Sequence, residues 1–201
     1  MREQTKILSV AVATALALLI FSATVVHALF YAPQPEIAAP ALEAKAPALK
    51  VPPVEYPDRL DIPVLNIDAA VLQVGIARSG HMAVPPNFTD VGWYKYGSVP
   101  GQKGSAVMAG HVDNGLGLDG VFKHLNQLKV DDDIYIITKA GSRLHFVVSD
   151  IQSYPYTSVP TETLFNRTDG TRLNLVTCDG GWVQGEKTYD HRLVVYATLA
   201  P

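Results

Sequence analysis

The chain has 201 residues, of which 48% are hydrophobic and 17% charged, and its formal net charge is -3. This length suits one globular domain with an appendage, and the near-neutral charge gives no reason to expect nucleic acid as a partner. The single cysteine excludes an intramolecular disulfide, so a packed core must supply the stability. In an extracellular protein, an unpaired cysteine is either buried or kept as a reactive thiol.

The N-terminal run Ile7–Phe30 is apolar and long enough to cross a membrane. Its roughly 24 residues, at about 1.5 Å of rise each, span a hydrocarbon core of about 30 Å. Arg2 and Lys6 precede the run and Glu36 is the first charge after it, so the positive-inside rule places the N-terminus in the cytoplasm. A cleaved signal peptide is the alternative, because Val26–Ala28 offers small residues to a signal peptidase. Apolar regions of signal peptides are usually shorter, about 7–15 residues, so we expect residues 1–30 to be an uncleaved single-pass anchor in the cell membrane, with the remainder extracellular.

Residues 31–57 form a linker rich in proline and alanine. Proline fixes φ and removes a backbone donor, so neither a helix nor a sheet can continue through this segment. We therefore expect a semi-extended spacer that holds the following domain away from the membrane. The prolines of the linker are Pro33, Pro35, Pro40, Pro47, Pro52, Pro53 and Pro57.

Residues 58–201 read as one mainly-β domain. Two short segments, Gly120–Leu128 and Thr161–Phe165, carry the best helical signals, and Lys139–Ser142 separates two β-like runs as a hairpin turn would. Many short strands with few helices favour a sandwich or a closed barrel. The predicted strands are Arg59–Ile62, Leu65–Val74, Ser105–Gly110, Asp133–Thr138, Arg143–Tyr154, Arg172–Thr177 and Arg192–Leu199.

Three residues with complementary chemistry stand at the ends of predicted strands. Cys178 follows an apolar run, His111 follows another, and Arg192 opens the last strand. A thiol becomes a good nucleophile when a neighbouring imidazole takes its proton, and a guanidinium can stabilise the charge that develops on an attacked carbonyl oxygen. Each residue alone is weak evidence, since a lone cysteine is often a small buried hydrophobe and a lone histidine is often structural. Because all three residues stand at the ends of predicted strands, together they predict a cysteine-dependent enzyme.

The segments around these residues resemble one family. Leu175–Cys178 resembles the TLxTC signature of sortases, the membrane-anchored cysteine transpeptidases of bacterial surfaces. Ala109–His111 is similar to the family's histidine segment, and Arg192 with its hydrophobic tail is similar to its arginine strand. Asn174 departs from the signature, which usually has Thr there. The similarity extends from about Leu60 to Leu199, and the segments that resemble the class E and F members are Val91–Tyr94, Pro100 with Gly101, and Gly104–Ala106.

The resemblance implies an eight-stranded β-barrel with short helices, preceded by the transmembrane helix. It implies cleavage of an LPxTG-type C-terminal sorting signal between Thr and Gly, and transfer of the acyl group to an amine of a peptidoglycan precursor or a pilin lysine. Cys178 is then the nucleophile, and His111 is the general acid for the leaving amine. Arg192 positions the substrate and stabilises the oxyanion, and we expect its guanidinium in an open groove.

The resemblance also implies where the sorting signal binds. In sortases the segment that corresponds to Ser153–Thr171 forms much of the wall of the signal-binding groove. Val159, Pro160 and Leu164 are therefore candidate substrate contacts, together with Thr177 beside the nucleophile. The alternative for the three loop residues is that they only pack the loop.

Neither a metal nor another cofactor is needed for this mechanism. Asp131–Asp133 is an acidic stretch that could bind a cation weakly, but we interpret it as a solvated hairpin turn.

Two other classes of protein fit parts of the sequence pattern. One is another membrane-anchored cysteine peptidase or hydrolase, or an L,D-transpeptidase, although in the latter His and Cys normally share one motif. The other is a non-catalytic extracellular binding module with a buried cysteine, which leaves the three matched settings as coincidence.

Overall fold

The computed structural model describes Phe21 and residues 55–201. Apart from Phe21, the expected membrane anchor Ile7–Phe30 lies outside the described residues, and so does most of the linker 31–57. Within the part of the chain that is described, no helix is long and apolar enough to cross a bilayer.

The described residues form eight strands that close into a barrel. The strands are β1 Pro57–Ile62, β2 Ile67–Val74, β3 Val91–Tyr94, β4 Gly104–Ala109, β5 Asp133–Thr138, β6 Arg143–Pro155, β7 Thr171–Val183 and β8 Thr188–Leu199. Their order around the barrel is β1-β2-β3-β4-β7-β8-β6-β5, and β5 returns to pair with β1. The pairs β2–β3 and β4–β7 are parallel and the other pairs are antiparallel. The expected eight-stranded, mainly-β barrel is confirmed.

Helical structure in the described residues is short. The α-helix α1 spans Thr161–Phe165, as expected, and 3-10 turns occupy Pro63–Leu65, Leu125–Gln127 and Tyr156–Ser158. The helix expected over Gly120–Leu128 is wrong, because only its three residues Leu125–Gln127 are helical.

The reason lies in the packing of Gly120 against the segment that follows β4. A Cβ on Gly120 would lie 2.3 Å from the carbonyl oxygen of His111, and the Gly120 N–H donates to the carbonyl of Val112 at 3.0 Å. The His111 carbonyl in turn accepts the N–H of Phe122 at 2.9 Å. These bonds between segments replace the helical hydrogen bonds that the pattern predicts.

The sequence pattern predicts seven of the eight strands and misplaces two of their ends by more than two residues. β3 was missed because its four residues are all buried and so show no alternation of polar and apolar side chains. The predicted end of β7 at Thr177 and start of β8 at Arg192 are wrong. β7 and β8 continue as a hairpin beyond these residues, with a register irregularity between Asp179 and Trp182. Cys178 therefore lies within a strand.

Apolar side chains pack in two layers on opposite faces of the sheet. Leu173 and Leu175 of β7 belong to the interior of the barrel, which also holds residues from the other strands. Val176, from the same strand, packs in a second cluster on the outer face, as the alternation of side chains along a strand requires. This outer cluster joins Val74, Met82, Val84, Tyr94, Val107, Ala109, Leu164, Phe165, Val176 and Val194.

Candidate active site

The register of three strands brings Cys178, His111 and Arg192 together. Cys178 and Arg192 are direct partners in the antiparallel ladder of β7 and β8. β4 runs parallel to β7 with Ala109 beside Val176. His111 lies two residues beyond Ala109, and Cys178 lies two residues beyond Val176. All three side chains therefore continue the outer-face cluster at one of its ends.

The three residues are closed off from solvent. Their exposed fractions are 2% for Cys178, 1% for His111 and 0% for Arg192. The expectation that Arg192 lies in an open groove is wrong for this state. Tyr156 covers it, with the guanidinium carbon 5.7 Å from the centre of the tyrosine ring, and the Tyr156 hydroxyl donates to Glu186 in the β7–β8 turn.

Burial also sets the protonation of the Cys178 thiol. It raises the pKa of the Cys178 thiol to about 11, since a desolvated thiolate is unfavourable. The positive charge of Arg192 lowers this pKa, whereas Asp113 and Asp179 raise it. Desolvation is the largest of these effects, so the thiol is neutral in the closed state at neutral pH.

His111 is oriented by a backbone carbonyl. Its Nε2 lies 3.1 Å from the carbonyl oxygen of Pro85, in the connection between β2 and β3. A carbonyl oxygen only accepts, so this bond requires a proton on Nε2. In the neutral ring the other nitrogen, Nδ1, is then the basic atom that can take the proton of a thiol.

The guanidinium of Arg192 is held by its own strand and keeps one donor open. Nη1 donates to the carbonyls of Tyr189 and His191, at 2.9 and 2.8 Å. Nη2 donates to the hydroxyl of Thr188 at 2.8 Å. Nε is buried and has no hydrogen-bond partner among the described residues. A buried donor without a partner is costly, and it is the arrangement expected of a group that waits for a substrate oxygen.

Two further residues at the site carry no motif in the sequence. The hydroxyl of Tyr189, three residues before Arg192, donates to Asp113, two residues after His111. Burial and Asp113 raise the pKa of Tyr189 well above its usual range. Lys123 Nζ also lies 3.8 Å from Asp113. Because the pair joins segments 76 positions apart, sequence spacing gave no signal for it.

The predicted substrate contacts occupy different settings. Thr177 alternates with Cys178, and its hydroxyl donates to the carbonyl of Gly110 at 2.9 Å, which ties β7 to the end of β4. Val159 is partly buried against the outer-face cluster, and Leu164 is fully buried within it. The Pro160 carbonyl accepts the N–H of Leu164 at the start of α1. Contact of these residues with a substrate stays a prediction.

Asn174, the departure from the sortase signature, fastens α1 to the sheet. Its Nδ2 donates to the carbonyl of Leu164 at 2.6 Å, and the side chain is buried. Asn174 thereby anchors the wall that Val159 and Leu164 help to form. Among the described residues, no three His, Cys, Asp or Glu side chains are grouped to hold a metal ion.

Comparison with known proteins matches this fold and sequence to one family. A family model described as a sortase domain matches residues 60–200. No curated protein sequence matches the chain significantly.

Solved structures of sortases share the fold. Sortase A from Corynebacterium diphtheriae is similar with a TM-score of 0.58 and 21% identity, over 73% of this chain and 61% of that one. Sortase C-1 from Actinomyces oris has a TM-score of 0.57 and 25% identity, over 71% of this chain and 73% of that one. The sortase D5 transpeptidase of Clostridium perfringens has a TM-score of 0.54 and 20% identity, over 73% and 79% of the two chains. The chain thus spans less than two thirds of the corynebacterial protein.

Proposed function

The chain belongs to the sortase family, and on that basis we propose that it cleaves an LPxTG-type C-terminal sorting signal between Thr and Gly and transfers the acyl group to an amine. The observation that carries this proposal is the pairing of Cys178 with Arg192, whose buried Nε has no partner among the described residues. A nucleophile next to a fixed, unoccupied donor suits acyl transfer, in which negative charge develops on the attacked carbonyl oxygen.

Acylation uses the three residues in order. The thiol proton of Cys178 passes to His111, and the thiolate attacks the carbonyl carbon of the Thr in the signal. The Nε–H of Arg192 donates to the oxyanion that forms. The C–N bond to Gly then breaks, and the leaving amine takes its proton from the imidazolium of His111. The product is a thioester on Cys178.

Transfer reverses these proton movements. The acceptor amine, from a peptidoglycan precursor or a pilin lysine, attacks the thioester carbon while His111 takes the proton that the amine loses. The C–S bond breaks, the new amide bond is complete, and the proton returns to the sulfur of Cys178. Because the reactive ionisation state needs a thiolate with an imidazolium, the rate should have a bell-shaped dependence on pH.

Substrate entry requires the closed site to open. The signal must reach Cys178 and Arg192, which are almost without exposed surface. Tyr156 and the β7–β8 turn cover Arg192 and are joined by the hydrogen bond between Tyr156 and Glu186. Displacement of this cover would admit the Thr carbonyl to Nε. The wall formed by Val159, Pro160 and α1 would then contact the residues that precede the scissile bond.

The location of the protein is part of the proposal. We propose that Ile7–Phe30 anchors the chain in the cell membrane with the catalytic domain outside, where sorting signals and cell-wall amines are both accessible. Protease treatment of intact protoplasts should then remove the domain and leave a membrane-bound stub. A domain protected from protease, or released in full into the medium, contradicts this topology.

We further propose that the chain belongs to the class E and F group of sortases. This proposal rests on the resemblance of Val91–Tyr94 and its neighbouring segments.

The purified domain, incubated with an LPxTG-type peptide and a small amine, tests the reaction directly. We expect a product in which the amine is joined to the Thr, and none with a scrambled peptide or with Cys178→Ala. Hydrolysis alone, unchanged by added amine, would assign the chain to cysteine peptidases. No cleavage of any peptide, with a thiol that resists modification, would favour a binding module.

A further inference from the structure

Asp113 and Tyr189 join the two segments that carry His111 and Arg192. Asp113 follows β4 and lies two residues beyond the histidine, while Tyr189 lies on β8, three residues before the arginine. The Tyr189 hydroxyl donates to Asp113 Oδ2, and Asp113 is 9% exposed. The ring of Tyr189 also packs edge-on against Trp182 at 5.4 Å. The tyrosine side chain is therefore held on both sides.

The backbone of Tyr189 continues this connection to the guanidinium. Its carbonyl oxygen accepts from Arg192 Nη1 at 2.9 Å. A carbonyl held in place fixes the plane of the guanidinium, because the donors of arginine form a rigid fork. The direction of the open Nε–H consequently depends on Tyr189, together with His191 and Thr188, which accept the other hydrogen bonds of the guanidinium.

The strand ladder is irregular just before this position, although Tyr189 is itself paired with Trp182 beyond the irregularity. The register between β7 and β8 is irregular between Asp179 and Trp182, next to the pair of Cys178 and Arg192. Gly180, in this stretch, has a φ of +80°, which favours glycine. Ladder hydrogen bonds are disrupted at such an irregularity, so a contact outside the ladder helps to fix the strand beyond it. The bond from Tyr189 to Asp113 supplies that contact.

The negative charge of Asp113 does not explain why an aspartate stands at this position. A carboxylate near Cys178 raises the pKa of the thiol and so opposes the thiolate that the reaction needs. Arg192, Asp179, Tyr189 and His111 are the other titratable groups around this sulfur. Asp113 is thus unfavourable for thiol activation, whereas its hydrogen bond to Tyr189 is a positive contribution to the geometry of the site.

We propose that Asp113 and Tyr189 form a latch that positions the guanidinium of Arg192, so that Nε–H points to the oxyanion of the acylation step. The proposal rests on the sortase function proposed above. Asp113 and Tyr189 are positioning residues, and they act through Arg192 without touching the substrate. Misplacement of a catalytic group by about 1 Å can cost roughly 10²-fold in rate. Opening the latch should therefore lower turnover and leave peptide affinity nearly unchanged.

The test is a set of kinetic measurements on Tyr189→Phe, which removes only the hydroxyl. With the full domain and an LPxTG-type peptide, we expect kcat to fall about tenfold to a hundredfold with KM within about twofold. Asp113→Ala, which removes the acceptor from the other side, should cause a similar fall, and the double variant should be no slower than either single one. Tyr196→Phe is the matched control. It removes the hydroxyl of another tyrosine of β8, which donates to the hydroxyl of Tyr154 on β6, and its kcat should stay within twofold.

The Arg192→Lys background separates positioning from a general structural effect. Lysine lacks the planar fork, so adding Tyr189→Phe to Arg192→Lys should cause no further loss. An equal loss in both backgrounds, or a kcat of Tyr189→Phe within twofold of wild type, overturns the latch. If Tyr189→Phe does not fold, Asp113→Ala in the two backgrounds decides by the same criterion.

One readout does not need a substrate. In ¹⁵N NMR spectra the Nη signals of Arg192 should be separately resolved in the wild type, because hydrogen bonds hinder rotation, and should average in Tyr189→Phe. Identical signals in the two proteins contradict the latch. If the wild-type domain cleaves no peptide, the proposed function fails, and this measurement still tests the latch. If the wild type turns over and Tyr189→Phe equals it, only the latch fails.

Discussion

Cys178 lies directly opposite Arg192 in the ladder between β7 and β8. Side chains of directly opposed residues in an antiparallel pair have Cβ atoms about 4.5–5.5 Å apart. The guanidinium is therefore placed beside the Cys178 thiol by the backbone pairing itself. In this buried setting its charge lowers the pKa of Cys178, but desolvation is the larger effect and the thiol stays neutral. The ladder provides proximity, and opening of the site is needed for activation.

Replacement of Arg192 should affect both rate and stability. In the proposed mechanism Arg192→Ala removes the donor to the oxyanion, so turnover should fall by roughly 10²–10³, or about 2.7–4 kcal/mol. It also leaves the carbonyls of Tyr189 and His191 without this donor, so the domain should be destabilised by about 1–3 kcal/mol. Arg192→Lys keeps the charge but not the fork and should restore little activity. Rates and urea unfolding measured on both variants check these values.

Arg59→Ala is the control for removal of an arginine. Arg59 pairs with Asp68 on the exposed surface of β1 and β2, and a surface ion pair contributes at most about 1 kcal/mol. Its turnover should equal that of the wild type. If Arg192→Lys turns over like the wild type, stabilisation by the guanidinium fork is wrong, and if Arg192→Ala does too, the arginine is not catalytic.

The buried thiol should make stability depend on pH. The folded-state pKa of Cys178, about 11, lies above its ordinary value of 9.0. The folded state therefore binds the proton more tightly, and this contribution is complete below pH 9 and is lost as the pH rises through 11. The free energy of unfolding should fall by up to about 3 kcal/mol more in the wild type than in Cys178→Ala over this window. The free energy of unfolding can be measured for both proteins by urea unfolding from pH 8 to 11. If it changes with pH equally in the two proteins, the pKa of Cys178 is not raised.

Removal of the charge on Asp113 should make the thiol more acidic. In Asp113→Asn the negative charge that raises the pKa of Cys178 is gone, while the side-chain oxygen can still accept from Tyr189. The midpoint of the pH dependence of alkylation by iodoacetamide should therefore lie below that of the wild type. Asp119→Asn, an exposed carboxylate in the same connection, should leave the midpoint unchanged. If the midpoint does not move in Asp113→Asn, the charge of Asp113 does not raise the pKa of Cys178.

The segment that carries His111 has no room for a side chain at position 120. A Cβ on Gly120 would lie 2.3 Å from the carbonyl oxygen of His111, which is backbone and cannot move aside without shifting the histidine. Gly120→Ala should therefore reduce acylation at least tenfold and lower the melting temperature. Gly185→Ala, in the β7–β8 turn with open space around it, should change neither. Normal acylation by Gly120→Ala would show that the position of His111 tolerates this displacement.

The three candidate catalytic residues could be singled out from the sequence because each lies in a short local pattern. Cys178 and His111 both follow apolar runs, and Arg192 leads one, so the identity of each could be read from its own strand. The pairing of β4 with β7 and of β7 with β8, which brings the three residues together, is known only from the structure. The same local information predicted most strand positions and the helix Thr161–Phe165.

Features that depend on distant segments could not be read in this way. The latch of Asp113 and Tyr189 joins positions 76 apart, and the burial of Arg192 depends on Tyr156 from another strand connection. Gly120–Leu128 does not form the helix that its pattern predicts, because hydrogen bonds to the segment of His111 take the place of helical ones. A periodic pattern reports which face of a segment is apolar, and it does not report which neighbour that face will meet.

In the proposed reaction Cys178 forms a thioester with the Thr of a sorting signal. Intact-protein mass spectrometry of the domain, mixed with an LPxTG-type peptide in the absence of amine, would detect this intermediate. We expect an added mass equal to the peptide up to its Thr. This mass should be located on Cys178, be absent in Cys178→Ala, and be lost when a small amine is added. Amine-dependent turnover that persists in Cys178→Ala, or a wild-type domain that never carries this mass while it cleaves the peptide, would contradict it.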